Sequence, residues 1–478
     1  MPAPRLAGRD NELEGADDAE AVVPSGADAI WRVCAGGGPA PTVILLAKEE
    51  LASRGNGLTS EIKGEAIMRR LITATAAVLL AAAIYPAQAE TTLHVMSWQP
   101  AYVAGTDYWD KTVAGFEAEN PGVKVESNFV AFSQYLSTLT AMIAAGELPD
   151  VFNGGTKTGE LGRSGHLVNF KDVFDQKFFD QFFSGPLRQY TFDDKPYGLP
   201  DMAQDFGVFA NDRIMKEVGL EVPNTWDELI ADVPKFKAAG YIPLSWGNLT
   251  RNTCPDFFLP LIAQYGGDAY ELDDHTKPGV SWDSKPVIDA LALLQRLAKS
   301  GVFPPGINGI DDPQSRQLVY QGRAAMYYGG SWTPAIFAQN GSKDWLDNYS
   351  VHKVPALTAD SIHYTGDGAG EAWSVNADSP NKDLALKFIA YIYRPDVYNW
   401  RAKGLQSFPS MKSAVDQIDN PKVRTMISWI ATDSANHILF GPGSWDSVSN
   451  VCQATLDGSI TPEDGAKKIE ADVMAARN

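Results

Sequence analysis

Ser133-Gln134-Tyr135-Leu136-Ser137-Thr138-Leu139-Thr140-Ala141-Met142-Ile143-Ala144-Ala145, then Gly146-Glu147-Leu148-Pro149, then Asp150-Val151-Phe152-Asn153, is the stretch on which the fold turns. Its first part sets Tyr135, Leu136, Leu139, Met142 and Ile143 at i, i+1, i+4, i+7 and i+8, one face of a 3.6-residue helix. The glycine and proline that follow stop that helix, and Asp150–Asn153 then reads as a short strand. Helix, stop and strand in that order form the second half of a β-α-β unit.

The same grammar continues upstream. Val123–Phe129 alternates as a strand does, and Tyr108–Glu119 carries Trp109, Val113 and Phe116 at helical spacing before Asn120-Pro121-Gly122 ends it. Thr92–Ser97 is a first strand. Two β-α repeats predict an α/β layered fold, whose ligands bind at the carboxyl ends of the strands. Downstream, Phe206–Ala210 is an apolar run, and helices are expected over Trp226–Lys237, Val287–Ser300, Lys382–Tyr393 and Thr461–Ala476. In Val287–Ser300 the face is set by Ile288, Leu291, Leu294, Gln295 and Ala298.

Ahead of the first strand lies the one long apolar run, Leu71–Ile84, too short to cross a bilayer and right for the centre of a signal peptide. Met68-Arg69-Arg70 precedes it and Ala87-Gln88-Ala89 follows, so residues 68–89 are expected to be cleaved after Ala89. Residues 1–67, rich in Ala, Gly, Pro and acid, are expected to be a non-native or disordered extension, with translation starting at Met68. No Cys stands directly after the cleavage site, which predicts a free periplasmic protein rather than a lipid-anchored one. Cys254 and Cys452 remain, able to form one disulfide in an oxidising compartment or to stay two buried thiols.

Of 478 residues, 44% are hydrophobic and 21% charged, as in soluble proteins of two or more domains. The net charge of -19 argues against nucleic acid or an anionic membrane as partner, since both reward clustered Lys and Arg. Catalytic signatures are absent from the sequence: no G-x-S-x-G, HExxH, P-loop or C-x-x-C. The six histidines are scattered without metal-ligand spacing, so neither a metal nor a cofactor is expected.

What recurs is Trp or an amide beside Gly or Pro at expected strand ends. These places are Trp98-Gln99-Pro100, Asn153-Gly154-Gly155-Thr156, Trp246-Gly247-Asn248, Gly330-Ser331-Trp332 and Gly443-Ser444-Trp445. Indole faces cover the apolar face of a sugar ring while amides hydrogen-bond its hydroxyls in both senses, so the mixture suits neutral polyols.

Taken in order, several segments resemble the extracellular solute-binding proteins of sugar ABC importers, family 1, which includes maltose-binding protein. They are Phe116–Val123 (FEAENPGV), Ala145–Val151 (AGELPDV), Tyr197–Pro200 (YGLP), Asn224–Leu229 (NTWDEL), Gly322–Met326 (GRAAM) with Ser331-Trp332, and Ser379–Lys382 (SPNK). The resemblance spans residues 90–478 and implies a two-lobe periplasmic-binding-protein fold with a hinge and a ligand cleft between the lobes. One lobe would hold 90–203 plus 356–405 and the other 204–355 plus 406–478. It implies that Trp332 and Trp445 stack on sugar, that Gln204 is a polar contact, and that Trp98, Gln99, Asn153 and Thr156 lie in ligand loops. Gly366-Asp367-Gly368 would fall in a further loop touching ligand. The implied partners are a sugar or oligosaccharide and the membrane subunits of an ABC permease, with the chain a monomer and no enzyme.

Alternatives within the same fold are an iron carrier, for which Tyr327-Tyr328 would supply phenolates, and a polyamine carrier, which needs several carboxylates among the aromatics. Strand alternation should send the two tyrosine rings to opposite faces, against the iron reading. A secreted carbohydrate-active enzyme would need two cleft carboxylates at catalytic separation.

Overall fold

The computed structural model describes residues 90–98, 107–250, 253–268, 272, 279–436 and 444–477. The expected extension, signal peptide and cleavage site, and Gln99, lie outside them.

In chain order the strands are β1 (Thr91–Ser97), β2 (Val123–Phe129), β3 (Val151–Asn153), β4 (Thr191–Phe192), β5 (Lys195–Pro196), β6 (Leu199–Gln204), β7 (Phe206–Asn211), β8 (Ile242–Ser245), β9 (Ala324–Gly330), β10 (Tyr349–His352), β11 (Thr365–Val375) and β12 (Ser434–Asn436). One sheet runs β12-β11-β3-β1-β2, with β6 also paired to β11. Its β1 is parallel to both β2 and β3, the geometry that helical crossovers impose. A second sheet runs β10-β7-β9-β8, and β4 and β5 form a small ribbon. The chain passes from the first sheet to the second between Gln204 and Phe206, where Asp205 receives Ser331 N–H on its carbonyl at 2.8 Å.

The decisive stretch folds as its pattern demands. The helix covers Phe132–Ala145, and Gly146 ends it in the left-handed conformation (φ 71°), a region glycine enters without steric cost. Glu147 N–H reaches back to Met142 O at 3.0 Å, closing the cap. Tyr135 and Leu139 are buried against Phe152 of β3 and Met96 of β1. Elsewhere the helices Asp107–Glu119, Trp226–Ala238, Lys285–Ser300, Lys382–Ile392 and Pro462–Arg477 fall within one or two residues of the expected bounds. Thr225 and Glu228 close a reciprocal capping box on the second of these.

Two expectations shift. In Lys285–Ser300 the buried stripe is Val287, Ala290, Leu291, Leu293, Leu294 and Leu297, which keeps Leu291 and Leu294 of the expected face but not Ile288, Gln295 and Ala298. Ile288 and Ala298 sit at its margin, and Gln295 uses its amide to hold Ile460 O at 3.1 Å. The second is Gly366-Asp367-Gly368, which lies in strand β11 and not in a loop. Glycine is a poor strand former, but Gly366 and Asp367 pair with Ala435 and Asn436, and Gly368 with Gln204, so neighbouring strands supply the order that propensity lacks.

Each sheet has its own core. Leu93, Trp109, Phe116, Trp373 and Phe388 pack around the first, which also takes in Met411 and Ala414. Phe206, Trp226, Leu244, Phe257 and Leu291 pack around the second, together with Val451 and Ile469 from the last two helices. Beneath β6, Arg401 is paired with Asp201 at 2.8 Å, both side chains 1% exposed.

Candidate functional site

A cavity of about 630 Å³ is lined from both sheets. From the first come Trp98 just after β1, Thr156 in the turn after β3, Gln204 at the end of β6, and Ala369 and Gly370 in β11. From the second come Trp246 after β8 and Trp332 after β9, together with Trp445 in the first turn of the helix Ser444–Asp457. Parallel strands end here, which is why side chains far apart in sequence meet.

Six of the residues singled out from sequence therefore share one cavity: Trp98, Thr156, Gln204, Trp246, Trp332 and Trp445. Their settings differ. Trp332 is half-buried and packs against both cores, standing edge-on to Phe206 at 5.5 Å and 87°. Trp98 is 8% exposed and lies edge-on to Tyr135 at 4.8 Å. Trp246 is 3% exposed and stacked on Phe257 at 4.7 Å, so most of its surface serves the core. Trp445 sits at a helix start rather than at a strand end.

Other expected contacts lie elsewhere. Asn153 is fully buried and its Nδ2 donates to Ala372 O at 2.9 Å, beneath the cavity rather than in its lining. Asn248 is also fully buried, donating from Nδ2 to Asn308 Oδ1 at 3.0 Å, so it ties two loops together. Gly366 and Asp367 are committed through their backbones to the β11–β12 pairing. The two glycines before Trp332 make room for neighbouring side chains rather than for a ligand alone. A β-carbon on Gly329 would meet Tyr327, and one on Gly330 would meet the Trp332 indole at 2.2 Å.

Three aspartates line the second-sheet side, Asp256, Asp311 and Asp312, and sequence reasoning did not single them out. Asp311 caps the helix Asp312–Tyr320, accepting Gln314 N–H at 2.7 Å. Asp312 pairs with Arg316 and accepts the Tyr327 hydroxyl at 2.5 Å. The Asp311-x-x-Gln314 capping box with Pro313 is a sequence signal of a helix start and could have placed these carboxylates. Tyr135, Gln189 and Tyr190 also line the cavity without any local motif to mark them.

Tyr327 and Tyr328 face opposite ways. Tyr327 packs with Phe209 and Phe337, whereas Tyr328 stacks parallel to Phe206 at 5.7 Å and donates to Asp256 O at 2.8 Å. Burial pushes the Tyr328 phenol well above its ordinary range, with the charges of Asp256 and Asp205 adding to it, so it stays protonated.

Cys254 and Cys452 are bonded, with Cα atoms 6.1 Å apart. The bond joins the helix Thr253–Gln264, which brings Thr253 and Asp256 to the cavity, to the helix that brings Trp445. Among the described residues no cluster of His, Cys, Asp and Glu could hold a metal, and no helix is long and apolar enough to cross a membrane.

The sequence pattern of the bacterial extracellular solute-binding proteins matches residues 102–399. A putative binding protein of Brucella abortus (strain 2308) is 27% identical over 306 residues, covering 63% of this chain and 71% of the relative. The maltodextrin-binding protein of Bacillus subtilis (strain 168) is 26% identical over 292 residues, 60% of this chain and 66% of that protein. A solved chitin oligosaccharide binding protein shares the fold with a TM-score of 0.70 at 24% identity, over 81% of this chain and 99% of the other. With the pattern matched over more than half its length, and with a cavity lined from two α/β sheets, the chain belongs to the bacterial extracellular solute-binding protein family.

Proposed function

We propose that the protein is the periplasmic solute-binding component of an ABC importer, that it holds a sugar or oligosaccharide between two lobes, and that it delivers the ligand to the membrane permease. The observation that carries this reading is the lining of the cleft: four indoles, Trp98, Trp246, Trp332 and Trp445, beside the amide of Gln204 and the hydroxyl of Thr156. Such surfaces suit rings that are apolar on their faces and hydroxylated at their edges. Relatives named for maltodextrin, galactooligosaccharide and diacetylchitobiose binding support an oligosaccharide.

The lobes are residues 90–203 plus 356–405 and 204–355 plus 406–478, closing by a hinge whose first crossing is at Asp205. Because Met411 and Ala414 pack in the first core, the return crossing falls beyond Ala414 rather than at residue 405. The protein acts as a monomeric carrier, exported by a signal peptide cleaved after Ala89, and performs no catalysis. Asp311 is engaged with a helix N-terminus and Asp312 with Arg316 and Tyr327, which disfavours both a glycosidase pair and a polyamine cage. Both tyrosines border the cavity, but their rings pack on opposite sides and their hydroxyls are already given to Asp312 and to Asp256 O, which disfavours iron.

A thermal-shift screen against neutral mono- and oligosaccharides tests the reading. A ligand at 100 times its dissociation constant adds about 2.7 kcal/mol to stability. A shift with spermidine or ferric iron and none with any sugar would replace it.

A further inference from the structure

Directly under the cleft floor, buried polar side chains from three strands meet. Ser97 closes β1, Asn153 closes β3, and Glu371 sits where the pairing of β11 with β6 slips register. All three are fully buried. Each is next to, or within three residues of, a part of the cleft lining: Trp98 after Ser97, Gly155 and Thr156 after Asn153, Ala369 and Gly370 before Glu371. The Ser97 hydroxyl donates to Glu371 Oε1 at 2.5 Å, and the Asn153 side chain lies against the Glu371 carboxyl. Asn153 already spends its Nδ2 on Ala372 O. That leaves two buried acceptors, Glu371 Oε2 and Asn153 Oδ1, that meet no donor among the described residues. Buried acceptors of this kind are costly unless a hydrogen stands between them and a partner.

We propose that Glu371 is a positioning residue of the ligand cleft: as a neutral carboxyl it accepts from Ser97, donates its own proton to Asn153 Oδ1, and so locks the ends of β1 and β3 to the middle of β11 beneath the floor. The inference rests on the cavity being the ligand cleft, but its chemistry stands on these three side chains alone.

The surroundings favour the neutral form. Burial is the largest influence and the Asp201 carboxylate the next, and together they push the Glu371 carboxyl up to about 8, against the smaller opposing pull of Ser97, Asn153 and Arg401. Arg401 does not neutralise Glu371 because it is paired with Asp201. The other titratable groups facing Glu371 are Tyr108, Tyr135, Tyr190 and Tyr393, from four different segments, and burial holds every one of these phenols protonated. Among the described residues, Arg401 is the one cation that acts on Glu371, and it is already paired.

Linkage fixes the sign of the pH effect. When the floor opens, Glu371 meets water and reverts to an ordinary carboxylate near 4.5, so opening releases a proton between that value and about 8. Protection is complete below the lower value, is lost as pH rises towards 8, and changes no further above it.

Hydrogen exchange by mass spectrometry tests this without any ligand, so its outcome is independent of the sugar reading. The segments to follow are 91–98, 151–158 and 366–373, with rates corrected for the intrinsic effect of pH. In the wild type, protection should fall about tenfold per pH unit from pH 5.5 to 7.5, the slope for release of one proton. Glu371→Gln keeps a neutral donor and acceptor, so it should stay flat with pH and match the wild type only below about pH 4.5, standing roughly tenfold more protected at pH 5.5. Glu371→Leu keeps neutrality without the hydrogen bonds and should be less protected at every pH. Identical pH profiles for wild type and Glu371→Gln, or Glu371→Leu as protected as Glu371→Gln, would overturn the proposal.

Discussion

Gly330 and Trp332 fit each other: the indole of Trp332 lies back over Gly330, so close that a β-carbon there would stand 2.2 Å from the ring. The ring is thereby held edge-on to Phe206, half-buried, between the two cores. Gly330→Ala must push the indole out of this seat. Sugar affinity should fall at least about tenfold, equivalent to 1.4 kcal/mol, while the fold persists, as calorimetric titration alongside circular dichroism would show. Unchanged affinity would mean that the seat is irrelevant to binding.

Trp332→Ala removes the platform itself. Loss of stacking and apolar cover should cost about 1–3 kcal/mol of binding, estimated from burial of a large apolar side chain, or roughly ten- to a hundredfold in affinity. Melting should change far less than for a core tryptophan, whose truncation costs about 3–5 kcal/mol. A collapsed melting temperature with intact affinity would make Trp332 a core residue.

The pair Asp201 and Arg401 is closed to solvent, with the Arg401 guanidinium also over the Trp109 ring at 5.8 Å. Asp201→Ala or Arg401→Met leaves a lone charge in the core and should destabilise by about 3–5 kcal/mol. The double variant should cost clearly less than the sum of the two. Additive losses in denaturant melts would show that the two charges do not compensate each other.

Cys254 and Cys452 close a loop of 198 residues, for which the chain-entropy relation gives about 5 kcal/mol of stabilisation. Thiol titration of the unfolded, non-reduced protein beginning at Glu90 should find neither cysteine free. The Cys254→Ala, Cys452→Ala variant should lose about 2–5 kcal/mol. Because the bond braces the helices that carry Asp256 and Trp445, sugar affinity should fall as well. Two titratable thiols would contradict the bond.

The periodic segments were legible because burial alone decides them: Leu139 and Met142 had to face the strands, and Gly146 had to end their helix. The glycine-rich start of β11 was not, since Gly366 and Gly368 owe their strand to partners some seventy and some hundred and sixty residues away. For the cleft, tryptophans beside strand ends were readable, as Trp332 and Trp98 illustrate. Which polar neighbour faces the cavity was not, because Asn153 turns under the floor while Thr156, three residues on, lines it. Tyr135 lay in plain view on the decisive helix, yet its ring serves core and cleft at once, a double role that spacing cannot disclose.

The central claim is that the cleft carries a sugar and leaves it unchanged. Titration calorimetry of the protein with maltotriose, diacetylchitobiose and raffinose, followed by recovery and chromatography of the sugar, tests this directly. The account predicts saturable one-to-one binding of at least one such sugar, weakened by Trp332→Ala, with the sugar recovered intact. Binding of none of a broad set of neutral oligosaccharides, or conversion of the bound sugar by the protein itself, would contradict it.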